Sequence, residues 1–162
     1  MIDKIRLLHD LRERIATNLE GLVRRQQDTQ KGATHEENRA EHAKDTRATE
    51  QSYLARGLAT RVDGMRQIAK NLATAKSRCF SANDPIAVMA LVVLRDGQDI
   101  NTQTWWLVPG AGGIELSQEG ERIQTVTPAA PLGRALIGLR VGDEGSFSTP
   151  GGERSFEILE IA

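Results

Sequence analysis

The chain has 162 residues, 39% hydrophobic and 27% charged, with a formal net charge of −1, so it is long enough for one domain or two small ones. A single cysteine, Cys79, excludes an internal disulfide, and no Cys/His spacing resembles a zinc site. No apolar run approaches the roughly 18 residues of a membrane span, and Met1-Ile2-Asp3-Lys4-Ile5 does not open a signal peptide, so a soluble, reducing, cytoplasmic setting without a membrane partner is expected.

Composition divides the chain near Phe80. Residues 1–78 contain no proline and four glycines, and residues 79–162 hold all five prolines and the other eleven glycines. Charge divides at the same place: 16 Lys and Arg against 11 Asp and Glu before residue 79, and 5 against 11 after it. Most of these charges read as solvated faces, but a basic half beside an acidic half makes a dipolar molecule. The expected boundaries are a helical finger over 1–78, a linker over 79–85 and a globular domain over 86–162.

Residues 2–30 carry Ile5, Leu8, Ile15, Leu19 and Leu22 at coiled-coil spacing, interrupted by Arg12 and widened by Leu7, Leu11 and Val23. Lys31-Gly32 predicts the end of this helix, and Thr34-x-x-Glu37 reads as a capping box that starts the next. Glu36 and Glu37 would then complement the positive end of that helix's dipole. The tip also gathers Asn38, Glu41 and His42, a polar density that closing a hairpin does not require.

A second helix is expected over about 35–76, with Leu54, Leu58, Met65, Ile68 and Leu72 as its stripe. A fold at Gly32 sets Ile15 opposite Gln51, Leu11 opposite Leu54, Leu8 opposite Leu58, and Ile5 opposite Arg61 and Val62. Such a finger has too little core to stand alone and must be anchored at its base.

The remainder reads as β-rich with one helix. Strands are expected over 86–94, 104–108 and 124–127, with an Asp96-Gly97 turn after the first. Pro109-Gly110-Ala111-Gly112-Gly113 reads as a hairpin or bulge, since no Lys-Ser/Thr follows to make a phosphate cradle. Pro131 to Gly138 predicts a short helix entered through proline and ended by glycine. Residues 145–149 and 154–161 predict a hairpin about Pro150-Gly151-Gly152. Alternation buries one of Trp105 and Trp106 and leaves the other to pack on the finger's base or on a partner. The fold class is α+β: an antiparallel coiled-coil hairpin followed by a β-rich domain with one short helix.

The run Ala130-Pro131-Leu132-Gly133-Arg134-Ala135-Leu136-Ile137-Gly138, then Val141-Gly142-Asp143-Glu144, Thr149-Pro150-Gly151-Gly152-Glu153 and Phe156-Glu157-Ile158-Leu159-Glu160-Ile161, resembles the C-terminal signature of the Gre transcript-cleavage and elongation factors. The hairpin with Glu37-Asn38 is similar to that family's finger. The resemblance implies an FKBP-like C-terminal domain, docking on bacterial RNA polymerase, and a finger that enters the polymerase secondary channel. It further implies that tip carboxylates help hold a Mg²⁺ shared with the polymerase active site, beside the 3′ end of a backtracked RNA. The factor itself would be no enzyme, would carry no cofactor of its own and no small-molecule substrate, and would act as a monomer.

Carried over residue by residue, the tip is Thr34, Glu36, Glu37 and Asn38, with Glu37 the metal-contacting carboxylate. The family's Asp-x-x-Glu-Asn is met by Glu37 and Asn38, but Thr34 stands where the Asp would be. That exchange removes one unit of negative charge from a site for a hard cation. Glu36 is one residue along, a rotation of about 100°. Arg24, Arg25 and Lys31 would lie near the RNA through phosphate contacts, and His35 and His42 read as solvated surface histidines. Docking is implied for Pro131, Leu132, Gly133 and Arg134, with Leu132, Leu136 and Ile137 as core in the plainer reading. Two alternatives remain: a non-cleaving regulator or inhibitor that occupies the channel, and a prolyl isomerase or chaperone drawing its pocket from Trp105, Trp106, Phe80, Phe147 and Phe156.

Overall fold

The computed structural model describes residues 2–37, 46–97 and 101–162, with side chains except those of 32–49 and 51. Its first helix is capped by a residue with no place in the expected pattern. Asp3 Oδ1 accepts from the backbone N–H of Ile5 at 2.9 Å and of Arg6 at 3.2 Å, satisfying two of the helix's four orphan donors.

Helix α1 (Lys4–Glu37) then runs for 34 residues, and α2 (Thr46–Thr74) for 29. The expected turn at Gly32 is therefore corrected. Gly32 and Thr34 lie inside α1, so Thr34 is no N-cap and there is no capping box, and Glu36 and Glu37 belong to α1 as well. A lone glycine costs a helix about 1 kcal/mol, and Lys31, Ala33, Glu36 and Glu37 around it are all strong helix formers. The expected dipole argument no longer applies, because Glu36 and Glu37 do not lie in the first turn of a helix. Asn38, Glu41 and His42 lie outside the described residues.

With Gly32 inside α1, the pairing expected from a fold at Gly32 loses its basis. Along the helices, Ile15 is 2% exposed, Leu22 8% and Val62 0%. Leu54, expected opposite Leu11, is 62% exposed, and Ile5, expected in the seam, is 72% exposed. Leu11 and Leu72 are both fully buried.

The chain forms two compact units, one of Arg12–Lys70 and one of Met1–Leu11 with Asn71–Ala162. Among the described residues, the first contains only helix. In the second, six strands form one sheet: β1 (Leu91–Asp96), β2 (Thr102–Leu107), β3 (Glu115–Gln118), β4 (Glu121–Val126), β5 (Glu144–Thr149) and β6 (Gly152–Ile161), in the order β3-β4-β2-β1-β6-β5. Every pairing is antiparallel except β2 with β4. The expected strand over 86–94 starts only at Leu91, because Ile86 bonds to the chain after the short helix and Met89 takes a φ of 77°. Strand β3 was not expected; Glu119 and Gly120, both at positive φ, make the tight turn that returns it to β4.

Helix α3 (Pro131–Leu136) covers one face of the sheet, closing a core of Ile86, Val92, Leu94, Leu107, Val126, Leu132, Leu136, Phe156, Ile158 and Ile161. Trp105 packs half-buried against this core, while Trp106, one residue on, is fully buried on the opposite face with Leu91, Leu116 and Ile123. The start of α1 is tied to the edge strand, where Asp3 N–H donates to Gln118 Oε1 and Gln118 Nε2 donates to the Asp3 carbonyl. Phe80 lies between two cations, 5.1 Å from Lys4 Nζ and 4.7 Å from the Arg78 guanidinium, and burial lowers the pKa of Lys4.

Candidate functional site

Two regions carry the residues singled out for function, and they lie in different units. In the helical unit, Thr34, Glu36 and Glu37 lie in α1. Positions 34 and 37 are one turn apart on a single helix. Arg24, Arg25 and Lys31 are exposed on the same helix. Arg24 reaches Glu20 Oε2 at 3.7 Å with both side chains about three-quarters exposed, which makes this a weak surface pair.

In the sheet unit, the short helix and the turns around it form the second region. Ala130 enters α3 in an extended conformation without a side-chain cap, and Pro131 supplies the helical φ with no N–H to orphan. Leu132 and Leu136 point into the core, whereas Pro131 and Arg134 are exposed. Gly133 is buried for want of room: a Cβ there would lie 1.9 Å from the Thr127 carbonyl oxygen. Of the docking residues expected, Leu132 and Gly133 thus hold the helix in place, and Pro131 and Arg134 face outward. Ile137, expected in the core, is 46% exposed, because the helix ends at Leu136 and the chain turns at Gly138 with φ +86°.

The turns on either side are pinned by polar bonds. The Arg140 N–H donates to Asp143 Oδ2 at 2.7 Å, and the Arg140 guanidinium donates to the Asn83 carbonyl. Asp84 accepts from the Ser81 N–H at 2.8 Å and from the Ser81 hydroxyl at 3.0 Å. The Ser81 N–H, then its hydroxyl, with Arg78 and Arg140 nearby, holds the Asp84 carboxyl below its ordinary pKa. A lowered folded-state pKa stabilises above the ordinary carboxylate value, and that contribution disappears as pH falls through the folded value. Asp84→Ala is therefore expected to lower the melting temperature at pH 7, and thermal melts should show the gap from wild type closing toward pH 3.

The sheet unit also holds an arrangement with no sequence signal. Arg154 donates to the buried carboxylate of Asp96, beside a small cleft lined by Trp105, Leu132, Phe147 and Phe156. The two residues lie 58 positions apart, and only the strand register brings them together. Of the aromatics named for a prolyl pocket, Trp105, Phe147 and Phe156 line this cleft and Phe80 packs against the same core, whereas Trp106 lies on the opposite face.

The family model described as transcription elongation factor, GreA/GreB, C-terminal, matches residues 81–162, half of the chain and nearly all of the sheet-bearing part. The chain belongs to the GreA/GreB family. Transcription elongation factor GreA of Halorhodospira halophila is 31% identical over 121 residues, which cover 75% of this chain and 71% of that protein. GreA of Streptococcus thermophilus is 31% identical over 80 residues, 49% of this chain and 46% of that one. Among solved structures, GreA factor homolog 1 of Thermus thermophilus aligns over 93% of this chain and 94% of its own at 24% identity, with a TM-score of 0.40. At that score it adds nothing to the assignment. As a Gre-family member the chain is a transcription elongation factor and not itself an enzyme. No helix among the described residues is long and apolar enough to cross a membrane.

Proposed function

We propose that this Gre-family chain binds bacterial RNA polymerase, docking through the outward side of α3 and placing the helical pair in the secondary channel, where the end of α1 modulates elongation or the cleavage of backtracked transcripts. The observation that carries the reading is the family match over 81–162, preceded in the same chain by two helices of 34 and 29 residues. Arg24, Arg25 and Lys31 would meet RNA phosphates near the backtracked 3′ end by charge alone.

The donor set at the tip tests the shared Mg²⁺. Mg²⁺ prefers carboxylate oxygens. Positions 34 and 37 offer one carboxylate and one neutral hydroxyl, so the set suits a metal held chiefly by the polymerase, with Glu37 as the factor's contact. A metal in that place stabilises the charge that develops when a phosphodiester is cut. Thr34 favours a second reading, in which the chain occupies the channel and regulates without promoting cleavage.

The deciding experiment uses purified core polymerase halted in a backtracked complex with Mg²⁺, and measures both binding and transcript cleavage. Wild type is expected to bind, and Glu37→Ala to bind equally while stimulating no cleavage above background. Failure of wild type to bind the complex would remove the proposal.

A further inference from the structure

The face of the sheet that packs on α3 is covered by it only in part. Beyond the helix, β2 and β4 open a cleft of about 440 Å³, bordered by Gln103, Trp105, Arg122, Gln124 and Arg154. Strand pairing gathers these side chains: Trp105 lies opposite Gln124, and Gln103 and Arg122 each stand two residues earlier on the same strands, hence on the same face. Glu121 borders the cleft too, but alternation turns its side chain to the other face. Asp96, only 8% exposed, accepts a hydrogen bond from Arg154 and so fixes that guanidinium where the cleft meets the smaller one beside Phe147 and Phe156. The Trp105 indole N–H donates to Gln103 Oε1 at 3.3 Å, which orients the ring and leaves the Gln103 amide NH₂ as a donor. The Arg122 side chain has no hydrogen-bond or ion-pair partner among the described residues.

We propose that this cleft binds a free nucleoside phosphate, its base against Trp105 and its phosphate on Arg122 and Arg154. The volume suits one ligand of that size. Each part of the ligand meets a matching group: guanidinium forks fit phosphate oxygens, and an indole gives a base a flat apolar surface. The amides of Gln103 and Gln124 carry the paired donor and acceptor that a base edge presents. Both β2 and β4 are interior strands, with no unpaired backbone edge for a peptide to join, so a small molecule is favoured over an extended segment. The cleft is separate from the outward side of α3, and the proposal is independent of how the chain docks on polymerase.

Isothermal titration calorimetry of the full chain at low ionic strength, with each of the common ribonucleoside 5′-monophosphates in turn, tests this. At least one is expected to bind with a Kd below about 1 mM, and the matching nucleoside and inorganic phosphate about tenfold more weakly. Arg122→Gln is expected to weaken the nucleotide about tenfold, the scale of a charge-assisted hydrogen bond. Arg56→Gln, which removes an exposed cation from α2, is the control and is expected to bind as wild type does. Both variants replace exposed side chains, so both are expected to fold and melt as wild type does. Tryptophan emission is expected to fall on binding through Trp105, since Trp106 is fully buried on the opposite face. The proposal is overturned if no monophosphate binds below about 1 mM, or if the nucleoside or phosphate alone binds as tightly as the nucleotide. Unchanged emission on binding, or an Arg122→Gln protein that binds no more weakly than Arg56→Gln, overturns it equally.

Discussion

Thr34→Asp is expected to raise the rate of transcript cleavage in a backtracked polymerase complex by about ten- to a hundredfold over wild type, the usual scale for supplying or removing a group that supports a catalytic metal. Position 34 lies within α1, one turn before Glu37, so a new carboxylate there joins an existing one on the same helix. The fold should accept it. Asp is poorer than the best helix formers by less than about 1 kcal/mol. Two carboxylates one turn apart repel each other, and a divalent cation relieves that repulsion. Glu37→Ala in the Thr34→Asp background is expected to cancel the gain. A Thr34→Asp protein that binds normally and cleaves no faster than wild type would show that positions 34 and 37 do not act as a ligand pair, and the non-cleaving regulator would then be the better account.

The second large effect concerns stability. Gly133→Ala places a methyl group 1.9 Å from the Thr127 carbonyl oxygen and 2.8 Å from its carbonyl carbon, both backbone atoms that no side-chain rotation can clear. Helix α3 must lift from the sheet, taking Leu132 and Leu136 out of the core. A cost of about 3 kcal/mol is expected, with a fall in melting temperature of roughly 6–12 °C for a chain of this size. Gly57→Ala, with nothing within 4 Å of the added atom on an exposed helix, should act in the opposite direction, by about +0.5–1 kcal/mol. Similar melting curves for the two variants would show that the close approach at Gly133 does not constrain the fold.

How legible these features were depends on the range of the interactions behind them. The hairpin about Pro150-Gly151 was legible because a tight turn and alternating residues carry their own geometry within a few positions, and β5 pairs with β6 as that pattern requires. Residues 131–136 were legible as a helix because proline at its start is a local signal. Which of its residues face outward was not, since that depends on where the helix stops: Ile137 looked like core until the chain turned at Gly138. At the other end of the molecule, Gly32 followed by Thr34 and Glu37 carried every local mark of a helix break and restart, yet α1 continues to Glu37. A capping box is worth about 1 kcal/mol or less, and a continuing helix gains a hydrogen bond for each residue it adds.

From its amino acids alone, then, this protein's division into a proline-free helical part and a glycine-rich β part was determined, together with its α+β class and its Gre signature. Each rests on composition or on spacing within a few residues, which the chain carries wherever it folds. Tertiary structure decided which residues the helices bury, the parallel contact of β2 with β4, the Asp96–Arg154 bond and the exposure of Ile137. Those depend on which distant surfaces meet. Both Val62 and Leu54 are apolar residues of α2, yet Val62 is fully buried and Leu54 is 62% exposed.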